Sequence, residues 1–239
     1  MEHNQSFFPH LSVDCVLLGY DGSQLSALLI EYGSELDTNQ FNNQKLPGSV
    51  IYDNEDVDNA AQRVLAESTG ISDIYVKQFK CFANPERTKN PRDKFWLENA
   101  INQKIGRIIT VGYLAFIRID KKIQRLSSQH KAKWCPLNEI GDLAFDHNEI
   151  ILEALRYIRK EIHTEPALLF ELLPKKFTAA ELRMLYDKIY GTKSDVRNFH
   201  KKIAAMEYII PLEERQIGVS HRAARYYKFE KKIYNRIHA

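Results

Sequence analysis

Residues 46–71 read LPGSVIYDNEDVDNAAQRVLAESTGI, and the second half of that stretch has the pattern of an amphipathic helix. Val57, Ala60, Ala61, Val64 and Leu65 fall at i, i+3, i+4, i+7 and i+8, which lines five apolar side chains along one face. Gly70 stands where the helix should stop, because glycine accepts the left-handed conformation that closes many helices. The polar residues are spaced as well. Glu55 precedes Arg63 by eight positions, and Glu67 follows Arg63 at i+4, within side-chain reach along a helix.

The flanks of this helix read as strands. In His10–Tyr20, Leu11, Val13, Cys15 and Leu17 alternate with Ser12 and Asp14, the period of two that a strand requires. Asp21-Gly22 offers a hairpin turn into a second apolar run, Leu25–Tyr32. Ser72–Phe82 and Arg107–Ile119 are rich in β-branched and aromatic residues, and Ala132–Leu137 makes a short further strand. A second helix is expected over His147–Ile162, with Ile150, Ile151, Ala154, Leu155 and Ile158 on one face. Residues 86–106 are polar around Trp96 and Leu97 and read as a long loop or an inserted short helix. His163-Thr-Glu-Pro166 is the expected joint between domains, since proline cannot continue a helix. The expected domains are therefore 1–162 and 163–239.

Composition narrows the class. With 44% apolar and 27% charged residues in 239, the chain is neither disordered nor fibrous. No apolar run approaches the roughly 20 residues of a membrane span. The N-terminal residues lack the basic and apolar pattern of a secretory signal, so a cytoplasmic protein is expected. Cys15, Cys81 and Cys135 are too scattered for a disulfide framework or a zinc knuckle. No metal site, cofactor or membrane partner is expected. The net charge of +3 is unevenly divided: residues 163–239 carry +6 and residues 1–162 carry −3. Such asymmetry is expected when one module meets a polyanion.

The basic module has a matching pattern. Thr178 is placed to cap a helix whose Leu182, Leu185, Tyr186 and Ile189 share a face, and Gly191 breaks it. A second helix begins near Asp195, with Val196, Phe199, Ile203 and Met206 spaced for burial. Arg197, Asn198, Lys201 and Lys202 lie on its other side. Helix, short glycine turn and basic helix make a helix-turn-helix layout. Arginine can pair with guanine and asparagine with adenine in the major groove. Arg197, Asn198 and Lys201 are therefore assigned to base edges. Lys202, Arg222 and Arg225 are assigned to phosphate, with His221 at the tip of a wing formed after Tyr208–Leu212. Thr178 is counted with them as a DNA-facing position.

The Leu46–Ile71 stretch resembles the Nudix box, in which glycine and glutamate precede a helix carrying an Arg-Glu and a Glu-Glu pair. Glu55, Arg63, Leu65, Glu67, Gly70 and Ile71 match in register, whereas Ser49 replaces the leading glycine and Val64 and Ser68 replace two of the three helical glutamates. Those glutamates would hold divalent cations that bridge a diphosphate and activate water. Their loss argues against hydrolysis, and no catalytic residue is expected. Together with Phe145-Asp146-His147 and LLPKKFT…LYDKIYG…DVRNFHKKIAAMEYI, the box makes the chain resemble the Nudix-related transcriptional regulators. That resemblance implies a Nudix-fold sensor (an α+β sandwich with a mixed sheet between helices) followed by a winged helix-turn-helix. It also implies a homodimeric repressor on a palindromic double-stranded operator, and a small effector such as L-arabinose or ADP-ribose. The wording RVLAESTGI is closer to the arabinose-responsive branch, whose members control carbohydrate use. Effector contacts are expected at Glu31, Ser49, Arg63 and Glu67, although a structural i,i+4 ion pair is the favoured role of the last two. Two other readings stay open: an active Nudix hydrolase of a nucleoside diphosphate derivative, using Glu55 and Glu67 for metal, and an adaptor whose Nudix domain only dimerises.

Overall fold

The computed structural model describes residues 7–31, 44–72, 74–218 and 223–238. Contacts within the chain gather into two compact units, one of residues 1–19 and 26–157, the other of 20–25 and 158–239.

The first unit is built on β1 (Phe7–Tyr20). Among the described residues its sheet has seven strands. The main path runs β3 (Gln44–Lys45), β2 (Leu25–Glu31), β1, β6 (Ile109–Arg118), β5 (Val76–Phe82). Two further strands join it: β4 (Gly48–Tyr52) pairs antiparallel with β1, and β7 (Ala132–Pro136) antiparallel with β2. Strand β1 lies in the middle of the sheet, and residues on both of its faces are buried. Ser12 and Asp14, which the alternation marks as an outward polar set, are buried alongside the apolar Val13 and Cys15. That burial places a carboxylate inside the domain.

Helix α1 (Val57–Thr69) caps one face of the sheet. Asp56 begins it by accepting from the Asn59 amide, and Gly70 closes it at φ 68°. Ala60, Ala61, Val64 and Leu65 pack against Val13, Cys15 and Leu17 of β1 and against Val111, Tyr113 and Ala115 of β6. The helix stripe and two strand alternations thus share one core. Tyr113 is anchored by donating its hydroxyl to Asp58 at the start of α1.

The polar stretch around residues 86–106 resolves into a 3-10 turn, Pro85–Thr88, and a short helix, α2 (Pro91–Ile101). Leu97 and Ile101 pack with Val50, Ile105 and Ile108 in a second, smaller core. Helix α3 (Lys121–Gln129), not anticipated from the sequence, follows β6 and begins at Asp120, which caps it by accepting from Ile123. Helix α4 runs from His147 to Thr164, two residues beyond the expected helix end at Ile162 and into the expected joint, and Pro166 then opens a 3-10 run to Leu172.

The second unit contains β8 (Phe177–Thr178), α5 (Ala179–Tyr190), α6 (Val196–Ala204), β9 (Ile209–Arg215), β10 (Arg225–Phe229) and α7 (Lys231–Ile237). The strands form a sheet in the order β8-β10-β9. Its core includes Leu182, Leu185, Tyr186, Ile189, Phe199 and Ile203. Phe170 stacks on Phe229 with ring centres 4.2 Å apart, and Tyr208 and Tyr234 meet Phe229 obliquely. Two helices joined by a glycine turn, then a two-stranded β-ribbon, is a winged helix.

Candidate functional site

A cleft of about 140 Å³ opens beside β1, where Ser12, Asp14, Lys45, Gly48 and Ser49 meet Arg87 and His147. Its opposite wall is apolar, made by Val50, Leu97, Ile101, Ile108 and Phe145. The polar side is a closed network. Arg87 donates Nε to Asp146 Oδ2 at 3.0 Å and Nη2 to Asp146 Oδ1 at 2.8 Å, and Nη2 also reaches Asp14 Oδ2 at 3.2 Å. His147 accepts from the Leu46 amide through Nδ1 at 3.0 Å. That bond makes Nε2 the N–H-bearing nitrogen, and it lies 3.5 Å from Asp14 Oδ1. Lys45 donates its ammonium to the Gly48 carbonyl at 3.1 Å.

Two carboxylates, Asp14 and Asp146, therefore oppose two cations, Arg87 and Lys45, in a buried setting. Burial pushes the Asp14 carboxyl up, but His147, Arg87 and Lys45 outweigh it and hold the group well below the usual carboxylate range. For Lys45, burial pulls the ammonium down against the favourable charge of Asp14. Gly48 is needed here for room: a Cβ on it would stand 2.0 Å from Asp14 Oδ1. Phe145 takes φ 55°, a costly conformation for a non-glycine residue, with its amide held by Asp93 at 2.8 Å. Backbone strain of this kind gathers at functional sites because the surrounding structure must impose it.

The expected effector residues divide. Ser49 lines the cleft. Glu31 is exposed at the end of β2, opposite Gln44, and does not line it. Arg63 is consumed elsewhere: its Nε and Nη2 grip Glu55, Nη1 meets Glu67 at 3.2 Å, and Nη2 also donates to the Val50 carbonyl at 3.0 Å. Its guanidinium lies 4.0 Å from the centre of the Tyr52 ring. Glu55 in turn accepts from the Tyr52 amide at 2.9 Å, so the pair clamps the turn before α1. Val64 is buried in the core and Ser68 half-buried beside it on the helix. Among the described residues no group of three His, Cys, Asp or Glu side chains converges as a metal site.

Sequence reasoning does not assign Asp14, Lys45 or Arg87 to a site, and Asp146 and His147 enter it only within the Phe-Asp-His run. One signal is available there: an aspartate among the apolar residues of β1, together with that run before a helix.

In the winged helix, Asp195 caps α6 by accepting from the Asn198 amide at 2.8 Å, and Asp187 holds the preceding turn through the Ser194 amide. Arg197, Asn198 and Lys201 are exposed on α6 around the buried Phe199 and Ile203. Val196 is 53% exposed rather than buried, because it opens the helix at N1. Lys202 is exposed but holds its ammonium 4.0 Å over the Tyr186 ring, which ties α6 to α5. Thr178 is a correction. It is buried, and its hydroxyl accepts from the Glu181 amide and donates to the Glu181 carboxylate in a capping box, so it serves α5 rather than DNA. Arg225 is exposed at the start of β10, opposite Arg215. His221 and Arg222 lie outside the described residues.

Comparison with known proteins agrees with both units. The NUDIX domain model matches residues 8–158, and the NrtR DNA-binding winged helix domain matches residues 169–229. The chain belongs to the NrtR-like family, in which a Nudix domain precedes a winged helix DNA-binding domain. It is 27% identical over 232 residues to the ADPR responsive transcriptional repressor NtrR of Acinetobacter baylyi, covering 95% of this chain and 84% of that protein. Among solved structures it is similar to Shewanella oneidensis NrtR complexed with a 27mer DNA (TM-score 0.68, 25% identity, 94% of this chain and 95% of that one). It is also similar to a MutT/nudix family protein from Enterococcus faecalis (TM-score 0.62, 27% identity, 95% and 90%).

Proposed function

We propose that this protein is a transcriptional repressor that reads double-stranded DNA through residues 163–239 and senses a small effector in the Asp14–His147 cleft of residues 1–162. Two chains act together, each placing one α6 on half of a palindromic operator. The observation that carries the reading is that each module presents a surface suited to a partner. In the winged helix that surface is the exposed Arg197–Asn198–Lys201 face of α6; in the Nudix unit it is a polar cleft walled by apolar side chains. The named activities of the Acinetobacter baylyi and Shewanella oneidensis relatives, ADPR response and a DNA complex, support it.

The effector is a sugar or a sugar-bearing nucleotide. A cavity of about 150 Å³ admits a single benzene, so a cleft of about 140 Å³ holds one ring. Arg87 is already bound bidentately by a carboxylate, so a phosphate would have to compete for it, whereas hydroxyls can add to Asp14, Ser12 and Ser49 without displacing a charge. A free pentose such as L-arabinose, or the terminal ribose of ADP-ribose, meets that requirement. The Nudix box does no hydrolysis on this reading. Val64 belongs to the core, Glu55 and Arg63 clamp each other, and Glu67 alone cannot assemble the metal cluster.

Melting the full chain with L-arabinose, D-ribose, ADP-ribose and ADP separately tests this. One sugar-bearing ligand raises the melting temperature, as any ligand selective for the folded state must, and the rise is lost in Asp14→Asn. Turnover of ADP-ribose with magnesium, abolished by Glu67→Gln, would assign the fold to catalysis instead.

A further inference from the structure

Charge within the Nudix unit is more sharply divided than its total shows. Residues 104–133 hold eight Lys/Arg and one acid, Asp120, although residues 1–162 as a whole are net negative. The cations concentrate on α3 and its flanks: Arg118, Lys121, Lys122, Arg125 and Lys131 are all exposed. Among the described residues none of the five is in an ion pair, and Asp120 is spent capping the helix through the Ile123 amide at 2.9 Å.

The placement runs against helix stability. Backbone amides at a helix start carry partial positive charge, which acidic residues relieve and lysines aggravate. The first turn of α3 contains Lys121 and Lys122 and no acid, and its last turn contains no basic residue. Lys122 and Arg125 also sit at i, i+3, where like charges repel. Neither folding of α3 nor its packing on α1 and β7 calls for this arrangement. A negatively charged partner does.

We propose that the α3 face of the Nudix unit is a second, sequence-independent contact for the phosphate backbone of duplex DNA. The proposal rests on reading the chain as a DNA-binding protein. A tethered reader brings DNA to the rest of the chain at high effective concentration, so even a weak cationic surface adds to affinity. Lysine and arginine without base-reading partners neutralise phosphate and release counterions, and so act on all sequences alike.

The test uses the full chain, with a duplex it selects from a random pool, bound across a salt series as the selected core alone and with long flanks. The variant Lys121→Gln/Lys122→Gln/Arg125→Gln changes exposed side chains, and an unaltered melting curve establishes its fold. With the flanked duplex, the log–log salt slope should become shallower by about 0.9 for each phosphate that is no longer neutralised. Affinity should fall at least tenfold at low salt, by the same factor on unrelated flanks. Lys121→Arg/Lys122→Arg/Arg125→Lys should restore both. An unchanged slope and affinity in a variant that still selects the same core would overturn the proposal while leaving the DNA reading intact. A wild-type chain that binds no duplex would instead overturn that reading. Retention on acidic phospholipid vesicles by wild type but not the Gln variant, with an unchanged DNA slope, would assign the face to a lipid surface and also overturn it.

Discussion

Arg87 grips Asp146 through two parallel hydrogen bonds, 3.0 Å from Nε and 2.8 Å from Nη2, and so joins the turn before α2 to the start of α4 across the floor of the cleft. Asp14 of β1 takes the same guanidinium at 3.2 Å, so Arg87 bridges both carboxylates. The group is buried, and its affinity for its proton is raised by its two acidic partners against the opposing effect of burial.

Removing Arg87 should therefore be costly. Arg87→Ala leaves the buried Asp14 and the half-buried Asp146 without the guanidinium that joins them, a change expected to destabilise by about 3–5 kcal/mol. Arg87→Lys restores charge but not the planar fork, and should recover only part. Urea unfolding of the three proteins checks this, and a change below about 1 kcal/mol for Arg87→Ala would show that the network contributes little.

Stability should also depend on acidity through Asp14. Its carboxyl is held below the ordinary range of about 3.9 in the folded protein, so folding favours the ionised form. That contribution is fully present above the unfolded value and is lost as pH falls through the folded one. Urea midpoints should hold steady down to about pH 5 and fall as pH drops further through about 3.9, and fall less in Asp14→Asn. Equal pH slopes in the two proteins would remove Asp14 from this role.

Hydrolysis of ADP-ribose and other nucleoside diphosphates should remain at background with magnesium or manganese. Glu55 is occupied by Arg63 and Glu67 is an exposed partner of the same guanidinium. Val64→Glu/Ser68→Glu inserts a carboxylate into the α1 core, so it should unfold at lower urea rather than gain turnover. Measured cleavage of the diphosphate linkage by the unmodified chain would contradict this.

The two kinds of α5–α6 residue should separate by readout. Arg197→Ala should cost about 1–3 kcal/mol on a selected duplex and relax preference at one base pair. Thr178→Ala removes a helix cap worth about 1 kcal/mol and should lower stability without changing which base pairs are preferred. Binding to selected and scrambled duplexes, alongside melting, distinguishes them.

Much of this architecture is legible in the sequence because periodicity is local. The α1 stripe, its Gly70 end and the α5 cap at Thr178 all depend on neighbours within a few residues. The cleft depends on distant ones. Asp14 and Asp146 lie 73 and 59 residues from Arg87, and an aspartate alternating with apolar residues looks like the wet face of an edge strand. Only the covering of β1 on both faces turns it into a buried anion. Lys202 shows the same limit in the second unit. Its place on the basic side of α6 is readable, but the Tyr186 ring beneath it is not. Helix α3 escapes a reading by periodicity because its lysines mask a short apolar stripe.

Operator affinity measured with and without saturating effector tests the central claim most directly. The full chain is titrated onto its selected duplex in the presence of whichever ligand raises its melting temperature. Coupling between two sites of one protein commonly amounts to about 5- to 150-fold in affinity. A change in that range, abolished in Asp14→Asn while DNA binding without ligand is kept, is the predicted result. Identical affinities with the ligand bound would contradict the account, because an effector that binds both states equally shifts nothing.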